Sequence, residues 1–141
     1  MKKIVLLVIG IFLMGCQSNQ EEARQPIAQV EVEDTLAPIT ENIMAHSVLY
    51  EANIRQYSNE GTFNAFAEDL PVLKKMGVKI IWLMPINPIS TKKSKGPLGS
   101  YYAVSDYTKV NPEFGTLEDF QALVKKAHGL GMYVILDWVP G

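Results

Sequence analysis

Three short apolar runs, Ser47 to Ile54, Val78 to Met84 and Met132 to Val139, are separated by stretches whose apolar residues recur at helical spacing. Val78 to Met84 is close to continuously apolar, as a parallel strand covered on both faces should be. Before it, Thr62 can cap a helix carrying Phe63, Phe66, Leu70 and Leu73, with Gly77 as its stop. Pro71 falls inside that pattern and implies a bend or a late start. The second helix begins at Thr116, with Asp119 three residues on as in a capping box, and carries Leu117, Phe120, Val124 and Ala127 on one face. Lys125, Lys126 and His128 suit the negative end of its dipole, and Gly129 and Gly131 end it. Strand, helix, strand, helix, strand implies an α/β fold with a parallel sheet and right-handed crossovers. An open doubly wound sheet and a (β/α)8 barrel both satisfy that order. No Gly-x-Gly-x-x-Gly follows any strand, so the dinucleotide-binding version of the open sheet loses its main support.

The first sixteen residues bear on the compartment. Lys2 and Lys3 precede an apolar run from Ile4 to Met14. Its length of about 11 residues falls short of the roughly 20 of a spanning helix and suits a signal-peptide core. The run ends in Leu13-Met14-Gly15-Cys16, which resembles a bacterial lipobox. Residues 1–15 are then a lipoprotein signal peptide, and Cys16, the one cysteine, becomes the acylated first residue of the mature chain. A single cysteine also excludes an internal disulfide. The expected location is the cell envelope, as an outer-membrane lipoprotein facing the cell surface or the periplasm, tethered by lipid and not embedded.

Without Lys2 and Lys3, 11 basic residues face 15 acidic ones, and the formal charge moves from −2 to −4. No basic patch offers itself to phosphates, so nucleic acid is not an expected partner. Residues 16–45 are polar, acidic and punctuated by Pro26 and Pro38, and read as a flexible spacer. A short edge strand at Ile27 to Val32 is the alternative within it. Residues 46–141 then hold the folded domain.

Chemistry in such folds gathers where strands end. The last run delivers Asp137 to such an end, and the chain stops shortly after. After the second run, Pro85 to Gly115 form a connection of about 30 residues where roughly 2 to 6 are usual, and loops of that length carry function or disorder. This one holds Tyr101, Tyr102 and Tyr107, flat apolar surfaces with a hydroxyl handle that stack well on sugar rings. His46 and His128 stand far apart, without a second ligand at metal spacing, so no metal is expected from them. Ser47 and Ser58 lack a nucleophile elbow. Lys92-Lys93-Ser94-Lys95 reads as a solvated loop face. Glu51, in mid-strand, reads as a buried, hydrogen-bonded group rather than as a catalytic partner of Asp137.

Five motifs occur in one order: Leu49 to Tyr57, Trp82 to Ile86, Gly99 to Tyr107, Val110 to Phe120 and Gly131 to Val139. Together they resemble the opening third of the catalytic domain of the α-amylase family of glycoside hydrolases, over residues 47 to 141. The resemblance implies the first three strand-helix units of a (β/α)8 barrel, incomplete in this chain. It also implies an α-glucan substrate and a retaining double displacement, which needs two carboxyl groups about 5 to 5.5 Å apart. In this family those come from strands four and five, so no catalytic residue is expected in the chain as given, and alone it should be inactive.

Three positions carry over from the resemblance. Tyr102 matches the aromatic that stacks on the sugar next to the scissile bond. Asp106 matches an aspartate that holds the loop. Asp137 matches the aspartate opening the third-strand motif, where it organises the site through hydrogen bonds. Gly141 stands where most members have an asparagine, often a calcium ligand. No cofactor is required, and calcium, present in some members, lacks that ligand here. Asp137-Trp138-Val139-Pro140-Gly141 resembles branching enzymes, whereas the tyrosine-rich loop looks more like bacterial amylases and neopullulanase-type hydrolases; the signal peptide favours the hydrolases. The other function class is a non-catalytic glucan-binding piece or a pseudogene remnant.

Overall fold

The computed structural model describes residues 36–140. Cys16, the signal segment, Ile27 to Val32, most of the spacer and Gly141 lie outside the described residues. The final spacer residues include a single helical turn, α1 (Glu41–Ala45), capped by the Thr40 hydroxyl, which accepts from the Ile43 amide at 3.2 Å. It buries no side chain, and no apolar period marks it in the sequence.

Three strands follow the expected order: β1 (Val48–Ala52), β2 (Val78–Leu83) and β3 (Tyr133–Leu136). They form one parallel sheet in the order β1-β2-β3. The register puts Ala52, Leu83 and Leu136 level with one another. Side chains alternate between faces along each strand. Ile81, Leu83 and Ala52 are buried on the face packed by helices, with Tyr50 half-buried beside them. On the opposite face, Leu49, Glu51 and Ile135 are exposed and Trp82 is half-buried. Glu51 is therefore not the buried group expected from the sequence: Val78 and Ile80 on the same face are buried, but Glu51, level with Trp82 nearer the strand ends, is exposed. β3 is also shorter than the expected run: Asp137 still donates its amide to the Leu83 carbonyl at 2.8 Å, but Trp138 and Val139 have left the sheet.

The first crossover holds a one-turn helix, α2 (Ile54–Tyr57), and then two helices where the sequence suggested one, α3 (Phe63–Glu68) and α4 (Leu70–Lys75). The break falls at Asp69, and Pro71 sits in the first turn of α4, where no intrahelical amide donor is required. All four apolar residues of the expected stripe are buried nonetheless. Gly77, at φ +89, then takes the left-handed turn into β2.

The second crossover helix, α5 (Leu117–Gly129), starts with a complete capping box between Thr116 and Asp119. Leu123 and Ala127 are its fully buried residues, with Phe120 and Val124 half-buried beside them. Leu117, expected on that face, is exposed at 52 %, because it precedes the turn that meets the core. Asn64 on α3 donates to Asp119 at 2.8 Å and joins the two helices. The ring of Phe63 packs edge-on to Phe114 at 5.9 Å and tilted against Phe120 at 5.4 Å.

Two measurements test this packing. At Gly115 the backbone has φ +126, and an added Cβ would meet the Asp119 carboxylate at 2.8 Å. Gly115→Ala should therefore open the capping box, with a cost of about 1 kcal/mol or more for the lost cap, read as about fivefold faster amide exchange in the first turn of α5. A polypeptide of residues 36–141 exposes Leu49, Ile135, Leu136 and Trp138 beside unpaired strand edges. It is expected to self-associate and bind a hydrophobic dye; a monodisperse monomer with a cooperative unfolding transition would contradict this.

Candidate functional site at the strand ends

The aligned strand ends define one edge of the sheet, and the connection from Pro85 to Gly115 is tied down there. Two short segments of it run antiparallel, through the Ile89–Val104 bridge. The Ser90 amide donates to the Ala103 carbonyl at 2.7 Å, and the Ser105 amide to the Pro88 carbonyl at 2.9 Å. The Asn87 side-chain amide donates to the carbonyls of Tyr107 and Lys109, at 3.3 and 2.9 Å. Asn111, buried though polar, uses its backbone and its side-chain oxygen to fold the last turn before Phe114.

So held, the loop crosses to the end of β3. The Tyr102 hydroxyl donates to Asp137 Oδ2 at 2.8 Å, joining residues 35 apart in sequence. That bond is the main reason the Tyr102 phenol is held above its ordinary pKa, since ionising it would place two negative charges together; the charge of Glu51 adds to the effect. Beside it, the Tyr107 hydroxyl donates to the Val139 carbonyl at 2.8 Å, and its ring meets Trp138 edge-on at 5.9 Å. Tyr102, Tyr107 and Trp138 are all substantially exposed, which leaves their ring faces available to a ligand.

Of the three positions singled out from the sequence, the structure brings Tyr102 and Asp137 into contact and leaves Asp106 apart. Asp106 Oδ1 accepts from the amide and hydroxyl of Thr108, at 2.9 and 2.6 Å, and Oδ2 pairs with Lys109 at 2.9 Å. These bonds, led by the Thr108 hydroxyl, hold its pKa down at about 2. The cluster fixes the turn between Tyr102 and the Asn87 contacts. Its carboxylate is thus occupied by its own loop.

The remaining candidates have local partners. His46 Nδ1 lies 2.9 Å from the Asn42 carbonyl, Ser47 Oγ donates to the Ile43 carbonyl, and Ser58 Oγ accepts from the Gly61 amide at 3.0 Å. Lys92 to Lys95 are exposed. Among the described residues no three His, Cys, Asp or Glu side chains group as cation ligands would. Nor, among them, is any helix long and apolar enough to cross a membrane. A largely apolar groove of about 660 Å³ runs between Tyr107, Val110, Leu117, Phe120, Leu136 and Trp138, but neither Tyr102 nor Asp137 lines it.

Parallel strands backed by helices, with a long loop and a carboxylate meeting at the strands' C-terminal edge, are consistent with part of a (β/α)8 barrel. The chain belongs to the α-amylase catalytic-domain family, whose profile matches residues 19–141. Among curated relatives, α-amylase SusG of Bacteroides thetaiotaomicron is 42% identical over 79 residues, which is 56% of this chain and 10% of SusG. Maltase 1 of Drosophila virilis is 37% identical over 105 residues, which is 70% of this chain and 16% of the maltase. Among solved structures, an α-amylase from Lactobacillus plantarum aligns with a TM-score of 0.64 at 49% identity, covering 64% of this chain and 22% of that one. The maltogenic α-amylase AmyB of Thermotoga neapolitana aligns with a TM-score of 0.62 at 44% identity, over the same two shares. The chain thus spans 16% or less of these curated relatives.

Asp106 gives a pH dependence. Its folded pKa of about 2 lies below the ordinary 3.8, so its contribution to loop stability is complete above about pH 4 and is lost as pH falls towards 2. In Asp106→Asn, amide exchange at Thr108 is expected to be raised at neutral pH and to lose its acid dependence in that window; an unchanged acid slope would assign the effect to another group.

Proposed function

We propose that the protein carrying this chain is a secreted, lipid-anchored glycoside hydrolase of α-amylase type, acting on α-glucans such as starch and maltodextrins by a retaining mechanism. In this reading the chain supplies a substrate-binding wall of the site, and the two reacting carboxylates are supplied from beyond residue 141. The observation that carries it is the hydrogen bond between Tyr102 and Asp137 at the C-terminal edge of a parallel sheet. It holds an exposed aromatic ring upright beside the strand ends, where an amylase-type site binds sugar. Relatives named as an amylase and a maltase support the substrate class. The Leu13-Met14-Gly15-Cys16 sequence supports the anchor and an envelope location, with the membrane as partner only through lipid at Cys16.

Asp137, already engaged by the Tyr102 hydroxyl and by its own amide in the sheet, is suited to organising the site and not to attacking a sugar. In this reading residues 1–141, without the two reacting carboxylates, do not hydrolyse glycosides by themselves. The same exposed rings leave glucan binding without turnover as a second reading of the isolated chain.

The test is kcat/KM on an α-1,4-linked glucose heptamer, measured with the protein that carries this chain. Tyr102→Phe keeps the ring and loses one hydrogen bond to a charged group, worth about 1.5 kcal/mol, and should lower kcat/KM about tenfold. Tyr102→Ala also removes the ring and should cost more. An unchanged kcat/KM in Tyr102→Ala would remove Tyr102 from the site. Dot-blot retention of starch without hydrolysis would favour the binding-only reading.

A further inference from the structure

We propose that Arg55 is a positioning residue for the sugar-binding site: it stations Tyr101, and through it the neighbouring Tyr102, against the end of β3. The inference rests on the functional reading of Tyr102 given above and adds a residue that touches neither the substrate nor Asp137.

Arg55 lies on α2, just past the end of β1, with its side chain only 16% exposed. Its Nη2 pairs with Glu113 Oε2 at 2.6 Å, and its Nη1 donates to the Leu98 carbonyl at 3.5 Å. The guanidinium carbon stands 4.8 Å from the centre of the Tyr101 ring and 5.8 Å from that of Phe114. One side chain from the first crossover therefore touches four residues of the long loop, spread from Leu98 to Phe114. Burial alone would lower the pKa of this group, yet it is raised, because the hydrogen bond to Glu113 and the nearby charges outweigh desolvation.

The arrangement uses the shape of arginine. Its Nε is buried and has no hydrogen-bond partner, a cost that a residue kept only for charge would not need to carry. A planar, delocalised cation is offset in such a place by the ring faces on which it stacks, whereas a lysine ammonium is a compact, strongly hydrated point charge. α2 is itself held from below. Gly61, at φ +63, comes so close that an added Cβ would lie 2.9 Å from the Arg55 carbonyl oxygen.

From Tyr101 the constraint reaches Tyr102 through one turn. The Ala103 amide donates to the Ser100 carbonyl at 3.0 Å, and the Tyr102 amide to Ser100 Oγ at 3.3 Å. Tyr101 and Tyr102 are the middle residues of that turn, so the ring stacked on Arg55 and the ring beside Asp137 move together. Displacement of a binding group by about 1 Å is enough to cost on the order of a hundredfold in rate.

The experiment is a double-mutant cycle on the protein that carries this chain, reading kcat/KM on an α-1,4-linked glucose heptamer. Arg55→Ala is expected to lower kcat/KM by about 10- to 100-fold when Tyr102 is present, and by no more than about threefold in the Tyr102→Ala background. Arg55→Lys, which keeps the charge and loses the fork, should not restore activity. Should Arg55→Ala fail to fold, Glu113→Gln weakens the same clamp with little change of volume and should show the same dependence on Tyr102. An equal loss in both backgrounds, or full rescue by Arg55→Lys, would overturn the positioning role. If Tyr102→Ala alone leaves kcat/KM unchanged, the reading of the site itself fails, and with it the role given to Arg55.

Discussion

The level register of the parallel sheet, in which Ala52, Leu83 and Leu136 stand side by side, is the constraint on which the other features rest. It places the residue after each strand, Asn53, Met84 and Asp137, at one edge, and the ladder continues there through the Met84 and Asp137 amides. A slip of one residue would turn Ile81 and Leu83 away from the helices. It would also carry Asp137 off the edge that Tyr102 can reach. The burial of Phe63, Phe66, Leu70 and Leu123 against one face therefore fixes the position of a carboxylate that none of them touches.

The long loop is the second level of organisation, anchored in the core by Ile86 and Phe114 and tied elsewhere by polar contacts. Its own antiparallel bridge, the Asn87 amide, the turn closed by Asp106 and the guanidinium of Arg55 act at different points along it. Exposed ion pairs contribute little by themselves. The Arg55–Glu113 pair differs in being set against two aromatic rings and largely screened from water on the arginine side. Among the residues this loop exposes are the aromatic rings of Tyr102 and Tyr107, surfaces that a sugar ring can use.

Much of the fold was legible in the chain. Thr62 and Thr116 cap the helices they were expected to cap, the Thr116–Asp119 box is complete, and the three strands fall within the three apolar runs. Local chemistry governs each of these. The errors arise where a residue's neighbours lie far away in sequence. The stripe of Phe63 to Leu73 is periodic across a break, so periodicity concealed two helices that part at Asp69, with Pro71 in the first turn of the second. Leu117 has the right spacing to be buried but sits beyond the end of its core contacts. Glu51 was assigned burial from its strand, but its end of that face is exposed. Arg55 was visible only as one letter in a family-like motif. The signal that could have singled it out is a cation just past the end of the first strand run.

The sequence by itself determined the order of elements, their caps and stops, and family membership, because propensity, capping and motif spacing act over a few residues at a time. It also supplied the expected roles of Tyr102, Asp106 and Asp137. Only the tertiary structure decided that Tyr102 and Asp137 meet, and that Arg55 lies against Tyr101. The physical reason is that contacts across 35 or more residues depend on sheet register and on where a long loop is pinned. Both are set by the packing of the whole domain and not by any segment of the chain.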